Sequence, residues 1–95
     1  AEGKNIFLAN CAVCHGEKGE GISGPNLTDN YWISGNTLQD IENVIAVGAP
    51  MKGMPGWKNQ LSAYNIKELV IFILSLQNTH PDNAKGPEGK PGILH

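Results

Sequence analysis

Five consecutive residues near the N-terminus, Cys11-Ala12-Val13-Cys14-His15, constrain this chain more than any other feature. Two thiols three residues apart at the end of a helix project in nearly the same direction. Each can then add to one vinyl group of a porphyrin while the imidazole of the next residue reaches the iron from the same side. Cys-x-x-Cys-His is accordingly the pattern that attaches haem c. Three plainer explanations compete. Half a zinc site would need more ligands, but the sequence has no other cysteine, and His80 and His95 lie in or beside the C-terminal tail without compact spacing. A dithiol redox pair would follow a strand in an alternating βαβ pattern, and none precedes it. A chance match of two inert thiols leaves unexplained why the motif ends a helix in a chain so short of core-forming side chains.

That shortage is visible in the counts. Ninety-five residues allow one compact domain and exclude a second. With 40% hydrophobic residues, two each of Trp, Tyr and Phe, and twelve glycines, the core is thin, so a cofactor is expected to help fill it. Seven Lys/Arg, all of them lysine, against nine carboxylates give a net charge of −2, which provides no basic stripe for nucleic acid and no polybasic membrane anchor. The longest mostly apolar run, Ile66 to Leu76, is far below the roughly 20 residues that cross a bilayer, and the chain reads as soluble. Its opening, Ala1-Glu2-Gly3, reads as a processed mature end or a domain cut from something longer.

The residues Gly3, Phe7, Asn10, Cys11 and Cys14 recur at three- and four-residue steps, which predicts a helix over residues 3–14. Gly16 to Gly35, with five glycines and Pro25, is loop, with one helical turn expected near Asp29 to Trp32, capped by Thr28. Thr37 followed by Asp40 starts a second helix, whose apolar stripe of Leu38, Ile41, Val44 and Ile45 stops at Gly48. Ser62 caps a third, whose apolar positions from Ile66 to Leu76 go almost all the way round and predict burial on most sides. Residues 1–80 therefore form the expected domain. Residues 81–95, with three prolines and three glycines between Pro81 and Gly92, form an extended tail expected to lie against it.

Iron in a porphyrin has one position left opposite His15, for which Met51, Met54, His80, His95 or an open site are the candidates. A lone methionine is normally core filler. Both methionines here stand on the loop Ala49-Pro50-Met51-Lys52-Gly53-Met54-Pro55-Gly56-Trp57 rather than on a helical stripe. Met54 is favoured because Gly53 permits close backbone approach and Pro55 stiffens the loop past the sulfur, with Met51 then a shielding neighbour.

With these residues in hand, the chain resembles a monohaem class I cytochrome c, and more narrowly the haem domains of the membrane-anchored dihaem subunit of cbb3-type cytochrome oxidases. The resemblance runs through Gly3-Lys4-Asn5-Ile6-Phe7, Cys11 to Gly16, Gly24-Pro25-Asn26-Leu27-Thr28-Asp29, Tyr31-Trp32, Gly53-Met54-Pro55-Gly56-Trp57 and Leu61-Ser62. It implies an all-α cytochrome c fold, three main helices with long loops wrapping one covalently attached haem c. It also implies that the Pro25 carbonyl holds the second nitrogen of His15, as outer-shell partners of metal ligands do, and that Gly3 and Phe7 cross Phe72 of the last helix. Many relatives carry an arginine before the methionine loop to meet a haem propionate, and Val47-Gly48-Ala49-Pro50 has none. Trp32 and Trp57, with Tyr31 and Lys52, are the substitute donors; packing of the rings on the porphyrin is the competing role.

The expected function is electron transfer on His15/Met54-ligated iron, in a respiratory chain to or within a terminal oxidase, with no enzymatic step. A haem enzyme or gas sensor with a labile sixth ligand is the alternative; it is disfavoured because His15 is the sole histidine in the body of the chain. The partners implied are a respiratory donor and a terminal oxidase, met weakly around the haem edge with Lys52 and Lys18 at the rim, and attachment of haem c implies the periplasm.

Overall fold

The computed structural model describes residues 2–49 and 53–95. Four helices and one short strand pair follow in the order α1 (Glu2–Asn10), α2 (Ala12–His15), β1 (Tyr31–Trp32), α3 (Leu38–Val47), α4 (Ala63–Ser75) and β2 (Lys90–Pro91). Three of the caps read from the sequence, Thr37, Gly48 and Ser62, are observed. Thr37 accepts from the Asp40 N–H at 3.0 Å while Asp40 accepts from the Thr37 N–H at 3.2 Å, a reciprocal capping box that starts α3. Ser62 accepts from the Asn65 N–H at 3.0 Å and starts α4. Gly48 stops α3 at φ +83°, a conformation that costs any side-chain-bearing residue energy.

Two local expectations are corrected. The predicted helix 3–14 is broken: α1 ends at Asn10, whose side-chain amide donates to the Ile6 carbonyl at 3.0 Å and competes with the main chain there. The chain turns at Cys11, and the Cys14 and His15 N–H groups both donate to the Cys11 carbonyl, opening the short α2. The helical turn expected at Asp29 to Trp32 is extended instead. The Tyr31 N–H folds back onto the Asp29 carboxylate at 3.2 Å, the Thr28 hydroxyl donates to Asn26 at 2.7 Å, and Tyr31 and Trp32 pair antiparallel with Pro91 and Lys90.

Among the described residues the core is one cluster of ten buried side chains, Ile6, Phe7, Trp32, Ile41, Ile45, Ile66, Leu69, Val70, Ile73 and Leu94. Both α1 and α3 pack against α4. The aromatic rings of Phe7 and Phe72 meet at 5.1 Å between centroids, tilted by 54°. Since partners cover only the Ile66, Leu69, Val70 and Ile73 side of α4, Ile71 is left 66% exposed on the outer side, against the expectation of burial most of the way round.

At the α1–α4 crossing, a methyl group on Gly3 would be driven into the Glu68 carbonyl, 2.9 Å from its carbon and 3.1 Å from Phe72 Cβ. Backbone cannot retreat as a side chain can, so the helices would have to part. Gly3→Ala is expected to lower unfolding free energy by roughly 1–3 kcal/mol, the usual cost of overpacking, partly offset by alanine's better helix propensity. Urea denaturation of the two proteins checks this.

The C-terminal segment is a strap across the two connections that flank β1. The Lys85 N–H donates to the Glu20 carbonyl at 2.8 Å, and the Gly92 N–H to Asn30 at 2.8 Å. The His95 N–H donates to the Asn36 carbonyl at 3.0 Å, and the His95 carbonyl accepts from the first N–H of α3. Leu94 anchors the end of the strap in the core.

Candidate functional site

The Cys-x-x-Cys-His segment sits where α1 gives way to α2, and the following loop is laced onto its carbonyls. Ile22 and Gly24 donate to the Cys14 carbonyl at 3.0 and 2.8 Å, and Gly21 donates to the His15 carbonyl at 2.7 Å. This lacing brings the Pro25 carbonyl 2.8 Å from His15 Nδ1. A proton on Nδ1 donated to that carbonyl leaves Nε2 with an available lone pair, the tautomer required of a metal ligand. Among the described residues Nε2 has no hydrogen bond. Gly24 lies against the ring: a Cβ there would stand 2.9 Å from Cε1 and 3.1 Å from Nδ1. Burial holds the imidazole below its ordinary pKa, the Pro25 hydrogen bond pulls the other way, and the Lys85 ammonium adds to the lowering.

Both cysteines are unpaired and partly buried. Burial, then the neighbouring Cys14, push the Cys11 thiol up to about 11. A redox-active dithiol needs a thiolate at neutral pH, so this microenvironment is the opposite of the one that chemistry uses. Two reduced thiols beside a histidine with one nitrogen engaged and one unengaged fit haem c attached by thioethers and bound through imidazole.

Further along the chain, Met54 is held by main chain. Ala49 and Met54 form an isolated antiparallel bridge, with N–H to O distances of 2.9 and 3.1 Å. Beyond it the Trp57 and Lys58 N–H groups donate to the Ile45 and Ala46 carbonyls at 2.9 and 3.1 Å, fastening the loop to the end of α3. Gly48 and Gly56 permit this: a Cβ on either would meet backbone of the opposite limb, Pro55 carbon at 2.6 Å in one case and Val47 carbon at 2.7 Å in the other. Met54, Trp57 and Cys11 all pack half-buried against the same core cluster. Met51 and Lys52 lie outside the described residues.

Trp32 was expected to offer its indole N–H to a propionate or to pack its ring on the porphyrin. In the structure that N–H donates to the Gly92 carbonyl at 3.1 Å, and the ring is buried in the core. Tyr31 is exposed. His80 and His95 are both exposed, His95 being turned back to the Ile93 carbonyl at 2.9 Å. Sequence reasoning missed Gly24 as the residue that clears room for the imidazole, although its position before Pro25 marked a tight turn. It also missed Asn26, whose buried amide donates to Lys85 at 3.0 Å, 59 residues away.

Comparison with known proteins gives a consistent picture. The family described as "Cytochrome C oxidase, cbb3-type, subunit III" matches residues 1–73. The cbb3-type cytochrome c oxidase subunit FixP of Azorhizobium caulinodans is 40% identical over 80 residues, covering 79% of this chain and 26% of that protein. Subunit CcoP of Cereibacter sphaeroides is 35% identical over 79 residues, covering 80% of this chain and 27% of the other. The chain thus spans about a quarter of the length of the curated relatives it matches. Among solved structures, cytochrome cL from Hyphomicrobium denitrificans superposes with a TM-score of 0.76 at 28% identity, over 93% of this chain and 58% of that one. The architecture is the cytochrome c fold.

Proposed function

Because the chain belongs to the cbb3-type cytochrome c oxidase subunit III family, and is a cytochrome c electron carrier with a single haem c at Cys11 and Cys14, we propose that it carries its electron on His15/Met54-ligated iron, in a respiratory chain to or within a terminal oxidase. The observation that carries this reading is the His15 imidazole, fixed through Nδ1 by Pro25 with Nε2 unengaged, one residue from a reduced thiol. Haem c supplies a one-electron couple when bound.

The residues act by holding a geometry that need not change. Cys11 and Cys14 tether the group, Pro25 and Gly24 fix the plane of the His15 ring, and the Ala49–Met54 bridge presents the thioether sulfur from a loop pinned to α3. With the haem bound, the Met54 thioether would favour the reduced state, and the fixed His15 and Met54 side chains would keep reorganisation small. Trp57 and Trp32 are the indole contacts of the cofactor, Trp32 through its ring because its N–H is donated to Gly92. Residues 1–80 constitute the carrier body and residues 81–95 its strap. Val13 and Ile22, 78% and 60% exposed beside the tether, form the apolar part of the docking patch with exposed Lys18 at its rim. A periplasmic setting follows from covalent attachment of the haem. No helix among the described residues is long and apolar enough to cross a membrane.

The test is the ferric spectrum of two variants. Met54→Ala is expected to lose the sulfur-to-iron charge-transfer band and Met51→Ala to keep it; the reverse pattern would assign the ligand to Met51.

A further inference from the structure

The strap touches the site at one place. Lys85 is tied by its main chain to both limbs of the loop that holds His15, donating to the Glu20 carbonyl at 2.8 Å and accepting from the Asn26 side chain at 3.0 Å. A Cβ on Gly21 would come within 2.8 Å of Lys85 Cβ, so the side chain starts in contact with that loop. Its ammonium lies 3.4 Å from the Ser23 carbonyl and 2.9 Å from the Glu88 carboxylate. Both charged groups keep only about a third of their exposure, 35% for Lys85 and 38% for Glu88, so water screens them incompletely.

We propose that Lys85 and Glu88 are an opposed pair of positioning charges, carried on the strap, that set the reduction potential of the centre through the His15 loop. The inference rests on His15 being an iron ligand. A ferric centre carries one more positive charge than a ferrous one, so a nearby cation favours the reduced form and a nearby anion the oxidised form. The main-chain hydrogen bonds of Lys85 do not depend on its side chain, which separates the effect of its charge from the bracing of the loop.

The test uses the holoprotein in an optical redox titration. Lys85→Met keeps the apolar stem and removes the charge; it is expected to lower the ferrous-to-ferric ratio at fixed poise roughly threefold, a fall of ~30 mV at ~59 mV per tenfold for one electron. Glu88→Gln is expected to move the potential upward, Lys85→Arg to leave it near the parent value, and added salt to shrink both shifts. A structural role alone would move the first two variants in the same direction. Shifts of the same sign, or no shift with unchanged spectra, would overturn the proposal. So would a Lys85→Met spectrum showing altered ligation, since the strap would then act by holding the loop. A parent spectrum without nitrogen ligation would instead overturn the assignment of His15, and is distinguishable because it appears before any variant is made.

Discussion

Replacing His15 by alanine is expected to yield little or no stable holoprotein, and Cys14→Ala the same, rather than a carrier of altered potential. A chain of this length has a total stability of about 5–14 kcal/mol, at ~0.05–0.15 kcal/mol per residue. Its own core is ten side chains, and the surfaces of Cys11, Met54 and Trp57 are only half covered by it. Alanine at residue 15 removes the ligand, strips the Pro25 carbonyl of its partner, and leaves a void against Gly24 where the ring stood. A carbonyl left unpaired in this half-buried position costs at most the ~1–3 kcal/mol of a buried one. The measurements are haem stain per milligram of purified protein and far-UV thermal melting. A His15→Ala chain that melts cooperatively within a few degrees of the parent would show that the centre does not organise the fold.

Removing residues 90–95 is expected to have the next largest effect on stability, roughly 3–5 kcal/mol. Leu94 is 5% exposed, and burying a leucine contributes ~1.5–3 kcal/mol. Trp32 loses the Gly92 carbonyl that accepts its indole N–H, and β1 and the first turn of α3 lose main-chain partners. At ~4–8 °C per kcal/mol for a chain of this size, the melting temperature should fall by at least about 12 °C. Leu94→Ala should account for about half of the loss. Near-equal melting of the truncated and parent holoproteins would show that the strap lies on the surface without holding it.

The parts of this molecule that could be read from the sequence are those settled within a few residues. Thr37 and Asp40 cap each other across one turn, Ser62 meets Asn65 across one turn, and Cys11 to His15 carry their chemistry in a single stretch. Tyr31 and Trp32 misled because their conformation is decided by Lys90 and Pro91, which the local pattern does not contain. The Trp32 side chain was equally illegible: its N–H has a partner 60 residues away. The α4 pattern gave the helix but not the number of elements packed on it, and Ile71 is the residue left over. Lys85 had no signal at all: it is one lysine of seven, and only the strap's path places it against the His15 loop.

The strap also orders events in time. Its bonds join Asn26 to Lys85, Trp32 to Gly92 and Asn36 to Ile93, spans of 59, 60 and 57 residues, whereas α1 meets α2 and the caps of α3 and α4 close over a few. Local contacts form early and distant ones are rewarded only after the intervening chain has been organised. Every strap bond also requires residues 85–95, which are synthesised after all of their partners. The loops around Cys11, Cys14 and His15 therefore pass through a stage in which helices exist and the clasp does not. Access to the two thiols is greatest in that interval, and it ends when Leu94 seats.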